Sequence, residues 1–225
     1  MIWLAVLGAA LLAVLLIWQL WVCEGAHFGR RFVVSLYNLA ATRYDRIKHF
    51  DPDWERAFLG EPLANALGGL EGARLLDVGA GTGRVAWAIG AMPFFRGVVI
   101  GVEPARRMLE QARQKVADDR ARWVRGWAVP LPFPAGAFDL VASLEMLEFT
   151  PHPLAALKEM VRVLAPGGWL LVTNRVGWQA RWILGRTFQR GDIAGVLERL
   201  GLEDVQARFW QVDYDLVWAR KRPGD

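Results

Sequence analysis

The hydrophobic pattern of this chain changes character three times. It begins MIWLAVLGAALLAVLLIWQLWVC, with no charged side chain before Glu24. Wound as a helix at about 1.5 Å per residue, the run from Met1 to Val22 would be roughly 33 Å long, enough to cross a hydrocarbon layer of about 30 Å. We therefore expect a membrane-spanning helix over residues 2–22. A cleaved signal peptide would carry Lys or Arg ahead of the apolar run and small residues at a cleavage site, and neither precedes Glu24. The reading is a retained anchor, residues 1–23.

Residues 24–70 read as helical pieces. FVVSLYNLAATRYDRIKHF has apolar positions at mixed three- and four-residue spacing, and Pro52 opens the next piece, DPDWERAFLGEPLANAL. They predict a helical collar or lid. Beyond Gly72 the rhythm becomes short β-branched runs alternating with helical stretches. The expected strands are ARLLDVG, GVVIGVE, ARWVRG, FDLVAS and GWLLVTN, then a terminal pair near EDVQARFW and DYDLVWARK. Between them lie RVAWAIGAM, ARRMLEQARQKVA, LAALKEMVRVL and DIAGVLERLG. This predicts an α/β domain over residues 71–221: a doubly wound, Rossmann-like, seven-stranded and mostly parallel sheet with helices on both faces.

Composition alters this picture in few places. A mean hydropathy of +0.20 is high for a soluble domain, but much of the excess sits in the opening segment. The single cysteine, Cys23, excludes an internal disulfide, and no metal site is predicted. Trp3, Trp18 and Trp21 lie near the ends of the apolar run, at the depth of lipid headgroups. Arg30 and Arg31 follow the run and no cationic side chain precedes it, which orients the remaining chain toward the cytoplasm. The net charge of +4 is modest, and its distribution says more than its size. No acid lies between Glu159 and Asp192, a span holding Arg162, Arg175, Arg181, Arg186 and Arg190. A solvated basic face is the simplest reading of that run.

The candidate chemistry centres on LLDVGAGTGR. Strand residues run into Asp77, then Gly79, Gly81 and Gly83 precede a helix, so that a ligand can lie against bare peptide at the helix start. The dinucleotide pattern G-x-G-x-x-G is not met, because its sixth position is Arg84. In order along the chain follow GVEPARRMLEQAR, with Glu103 at the end of the second strand; WAVPLPFPAGAFDLVASLEMLEFTPHP around the fourth strand; and LAPGGWLLVTN with its Pro-Gly-Gly turn. With these motifs the sequence resembles the class I S-adenosylmethionine-dependent methyltransferases, in particular the group containing quinone-biosynthesis and other small-molecule enzymes. The resemblance covers about residues 40–220.

The resemblance implies S-adenosyl-L-methionine as cofactor. Glu103 would accept the ribose hydroxyls and Asp77 would hold the methionine amino group. Gly79, Gly81 and Gly83 would form the loop, Pro104 the following turn, and Met108 an apolar contact to adenine. Trp127, Ala128 and Ser143 complete the expected contacts. Two departures stand out. Where relatives carry an acid after the third strand, this chain has Gly126-Trp127-Ala128, and Trp127 either stacks on adenine or points to a neighbouring helix or the membrane. After the fourth strand Phe149 replaces a histidine, so no catalytic residue is assigned; Glu145, Glu148 and His152 are nearby. Methyl transfer to a small or lipid-soluble acceptor at the inner membrane surface is the expected activity, with a tethered cofactor binder lacking turnover as the alternative. NRVGWQARWILGRTFQR pairs tryptophans with arginines, a composition that suits either an anionic interface or a pocket wall. The fourth strand runs into ASLEMLEF and lacks the Asn/Asp-Pro-Pro-aromatic signature of nucleic-acid amino methylases, which argues against a nucleic-acid substrate.

Overall fold

A computed structural model describes residues 1–224. The opening segment is one helix, α1 (Ile2–Val22), apolar on every face and with no buried residue over most of its length. A helix of that kind cannot satisfy water on any side, so its length and composition are those of a bilayer span. Only its foot touches the rest of the protein: Cys23 and Ala26 are buried against Ile183, with Trp18 and Val22 half-buried beside them.

The segment between α1 and the sheet, the collar, is helical. It consists of α2 (Arg30–Ala40), α3 (Tyr44–Lys48), α4 (Pro52–Glu55) and α5 (Glu61–Ala66), with one wide helical turn, Arg56–Gly60, between the last two. Asp51 caps α4 by accepting the Trp54 N–H at 2.9 Å, and Pro52 occupies the first turn, where its missing N–H costs nothing.

The strands are β1 (Arg74–Val78), β2 (Val98–Val102), β3 (Ala121–Val124), β4 (Phe138–Ser143), β5 (Leu164–Arg175), β6 (Leu202–Trp210) and β7 (Tyr214–Lys221). The order across the sheet is β3-β2-β1-β4-β5-β7-β6, parallel except for β7, which runs antiparallel to both its neighbours. Crossovers are made by α6 (Arg84–Gly90), α7 (Arg106–Lys115) and α8 (Pro153–Val163), and α9 (Asp192–Arg199) precedes β6. Alternation along β1 shows how both faces are covered. Leu76 and Val78 join a core with Leu157 and Met160 of α8 and Leu197 of α9, while Leu75 faces Leu63 of α5 and Ile89 of α6.

The arginine span does not form a single basic face. Arg162 is bound to Glu159 and to the Leu131 and Phe133 carbonyls, buried Arg175 reaches Glu24, and Arg190 pairs with Asp215. Two of these acids, Glu24 and Asp215, come from elsewhere in the chain, which is why the local charge count misleads.

Candidate active site

Sheet order reverses between β1 and β4, since the chain moves outward from β1 through β2 and β3 and then returns to β4 on the other side. The crevice at the carboxyl ends of those two strands is where open α/β sheets bind ligands. Here it is floored by the loop from Val78 to Gly83. At Gly81 φ is +51° and nothing lies within 4 Å of where a Cβ would be, so the loop presents bare backbone to open space. Gly83 does a different job. A Cβ there would lie 2.6 Å from the Trp123 ring, so this glycine lets the start of α6 close on β3. The close-packing glycine therefore comes one residue before Arg84, whose buried side chain is turned instead toward the collar.

Two acids flank the loop. Glu103, at the end of β2, accepts the Ala105 N–H at 2.8 Å and the Gly81 N–H at 3.2 Å, one on each carboxylate oxygen. Burial lifts its pKa to about 7 against the pull of those two amides. Asp77, buried at the end of β1, has an Oδ2 with no hydrogen-bond partner among the described residues. Burial first, and the nearby Glu103 second, raise Asp77 to about 8. A buried acid left without a partner in this way is costly, and it marks the place where a cationic donor is expected.

The crevice opens into a cavity of about 200 Å³ whose lining comes from both the domain and the collar. Gly79, Gly81, Glu103, Pro104, Trp127 and Ala128 form one side, and Val33, Tyr37 and Tyr44 of the collar face Met146 and Phe149 on the other. A smaller hollow beside it is bounded by Asp77, Gly79, Gly81 and Thr82 under Phe50 and Glu145. Trp127 thus faces the cavity, and the Arg30 guanidinium sits 4.5 Å over its ring. Three expected contacts lie elsewhere. Met108 is buried with Ala41 and Ala105 where α7 meets the collar, because the collar covers the helix face that was to meet adenine. Ser143 is buried and donates to the Val78 carbonyl at 2.8 Å, and Gly83 packs on Trp123.

Sequence reasoning missed how the collar is fastened. Arg84 makes a two-pronged ion pair with Glu55 at 2.7 and 2.8 Å and reaches Glu145 at 2.9 Å. Lys48 also binds Glu145, and Lys115 binds Asp45 at 2.7 Å. Burial alone would raise the Glu145 pKa, but Lys48 and Arg84 together hold it below the ordinary carboxylate value. Glu145 adopts φ +51°, an uncommon conformation for a side chain of its size, with its N–H donated to Thr173 Oγ1 at 2.6 Å. The available signal was the acid-rich text DPDWER, with Asp51, Asp53 and Glu55, in a chain whose glycine loop runs straight into a cation, Arg84.

The sheet order, the glycine loop and the acid ending β2 together define a Rossmann-like domain built around a nucleotide-type cofactor. Residues 76–172 match the family model described as a methyltransferase domain. Among curated proteins the chain is similar to demethylmenaquinone methyltransferases. It is 31% identical to that of Lactococcus lactis over 139 residues, covering 60% of this chain and 55% of the relative. It is 33% identical to that of Staphylococcus aureus strain MRSA252 over 140 residues, covering 62% and 58%. The chain thus spans little more than half the length of these relatives. Among solved structures, an S-adenosylmethionine-dependent methyltransferase from Aquifex aeolicus aligns with TM-score 0.59 at 19% identity, over 76% of this chain and 98% of that one. The cyclase SpnF aligns with TM-score 0.69 at 21% identity, over 87% and 98%. These two show the fold alone. Over residues 76–172 the chain is similar to S-adenosylmethionine-dependent methyltransferases, and that similarity, with the fold, implies S-adenosyl-L-methionine as the cofactor.

Proposed function

We propose that this protein transfers a methyl group from S-adenosyl-L-methionine to a small, lipid-soluble acceptor of quinone type at the cytoplasmic surface of a membrane. One observation carries this reading. A single cavity has the glycine loop and Glu103 on one side and aromatic collar residues on the other, and α2, which supplies Val33 and Tyr37, begins just beyond the foot of α1. An acceptor dissolved in the bilayer would reach such a cavity without crossing bulk water.

The residues present fit the cofactor. The unpartnered Asp77 Oδ2 suits a cationic amino group, and each Glu103 oxygen, bonded once to backbone, keeps a lone pair for a ribose hydroxyl. The open space over Gly81 leaves room for a chain laid along the loop. When bound, S-adenosylmethionine supplies an electrophilic methyl on a sulfonium. In this reading Tyr37, Tyr44 and Phe149 exclude water and orient the acceptor, and rate comes from alignment. Burial, with neighbouring acids, holds both tyrosines neutral well beyond their ordinary range, so neither is the base. His152 borders the cavity and is the side chain placed to take a proton near its rim.

The decisive experiment offers labelled S-adenosylmethionine and the full chain to lipid, quinone and RNA fractions. Label is expected in the quinone or lipid fraction; tight cofactor binding with no transfer to any fraction would favour the tethered binder instead.

The raised acids give a pH dependence with a definite sign. Asp77 at about 8, and Glu103 and Glu148 at about 7, hold protons in the native state that the unfolded chain releases near pH 4. The native state binds more protons, so this contribution to stability is complete below about pH 4 and is lost as pH rises through about 7 to 8. Without cofactor, the thermal midpoint should fall across that window. A cationic ligand favours ionised Asp77, so binding near pH 6.5 should release a sizeable fraction of one proton, read by calorimetry in two buffers of different ionisation enthalpy. Asp77→Asn should remove the share that comes from Asp77 and leave the share of Glu103, whose raised pKa falls when ribose hydroxyls donate to it. Equal release by the variant would remove Asp77 from the cofactor site.

A further inference from the structure

The segment after β5 is fastened to the foot of α1, with the cavity-lining Phe149 packed beside the joint. Ile183 is fully buried against Cys23 and Ala26, with Trp18, Val22 and Phe149 around it. The Trp182 carbonyl lies 3.5 Å from Cys23 Sγ, and the Leu184 carbonyl 3.4 Å from His27 Nε2. Arg175, at the end of β5, reaches Glu24 at 3.3 Å. These contacts hold the main chain of the loop at the level where α1 ends.

The side chains on either side of that buried anchor point away. Trp178, Trp182 and Leu184 are 60%, 51% and 64% exposed, and Arg181 between them is exposed as well. Exposed Trp21, at the end of α1, and Phe28, Arg30 and Arg31 just after it, continue the same mixture of rings and guanidinium groups. Large exposed apolar side chains beside the exposed Arg181 make a poor surface for water and a good one for anionic headgroups. The position decides the partner. If α1 crosses a bilayer, its last turn lies at the interface, and a loop clamped to that turn lies there too.

We propose that residues 178–184 form a second membrane contact, a seat on the anionic lipid surface in which Trp178, Trp182 and Leu184 enter the headgroup layer and Arg181 meets lipid phosphate. The proposal rests on α1 being in the bilayer, not on the identity of the acceptor. A single helix leaves the domain free to swivel about its axis. Helix and seat together fix that rotation, and the short distance between them makes the second contact effectively intramolecular. The wall of the cavity formed by α2 is thereby held toward the lipid.

The test uses the full chain in lipid nanodiscs containing phosphatidylglycerol. An environment-sensitive fluorophore is placed at Leu184→Cys, or at Phe94→Cys as a control; Phe94 is 79% exposed and precedes β2, at the end of the parallel strands opposite to the one from which residues 178–184 follow β5. Cys23 is buried and stays unlabelled. Quenching by lipids brominated near the headgroup should be about threefold greater at 184 than at 94, and should weaken when phosphatidylcholine replaces phosphatidylglycerol. Equal quenching at the two positions in protein that co-floats with lipid overturns the seat and leaves the anchor standing. Failure to co-float overturns both.

Discussion

Glu103→Ala is expected to weaken S-adenosylmethionine binding by at least about a hundredfold, the largest loss from any single carboxylate in the crevice. Hydrogen bonds to a charged acceptor contribute about 1.5–3 kcal/mol each, and in the proposed site Glu103 receives two from the ribose. The substitution has a second effect. It removes the acceptor for the Gly81 and Ala105 N–H groups, so the glycine loop loses its tie to the end of β2. Glu103→Gln separates the two contributions, because its carbonyl oxygen can keep one of those bonds while its amide turns a donor toward a ribose hydroxyl or toward a backbone N–H. Titration calorimetry should therefore place Gln between Glu and Ala. A loss below about threefold for Glu103→Ala would mean that the ribose is held elsewhere.

That prediction draws on a residue legible in the sequence, and the reason it was legible is local. Glu103 follows a β-branched run and precedes a helix, and Asp77 lies two residues before a glycine, so strand period and loop spacing put both at strand ends, and the ordered motifs of the resemblance put them at the crevice. The parallel order of β1 to β5 followed from alternating strand and helix text in the same way. The burial of Met108 under the collar lay beyond such reading. Its helix position was correct, but which face of α7 is open depends on α2, whose Asn38 Oδ1 accepts the Arg107 N–H at 2.9 Å. Contacts between segments far apart in sequence leave no periodicity behind. The same holds for the arginine span, whose Arg175 and Arg190 find Glu24 and Asp215 only after folding. Trp127 was undecided between cofactor and surroundings, and it took Arg30 above its ring and the cavity below to place it.

The collar makes the second large prediction. Arg84 has a side chain only 8% exposed, and it faces Glu55 at 3% and Glu145 at 7%. Its guanidinium also lies 4.5 Å over the Phe50 ring, so one side chain ties α4, the loop before it and the end of β4 to the start of α6. Arg84→Met removes the cation and leaves Glu55 buried without its partner. Breaking a buried pair from one side costs about 3–5 kcal/mol, and for a domain of this size each kcal/mol lowers the thermal midpoint by about 2–4 °C. The midpoint should therefore fall by roughly 6–20 °C. Replacing both partners, Arg84→Met with Glu55→Leu, should recover at least half of that loss, since the stranded charge disappears and Glu145 still has Lys48. If the double variant were no more stable than the single one, the fastening would lie in shape and stacking rather than in charge. Cofactor affinity adds an independent reading. If the collar closes over the methionine end of the crevice, Arg84→Met should weaken binding and the double variant should restore it in step with the midpoint. A midpoint restored without affinity would assign Arg84 to the hollow beside Asp77 and not to the fastening of the collar.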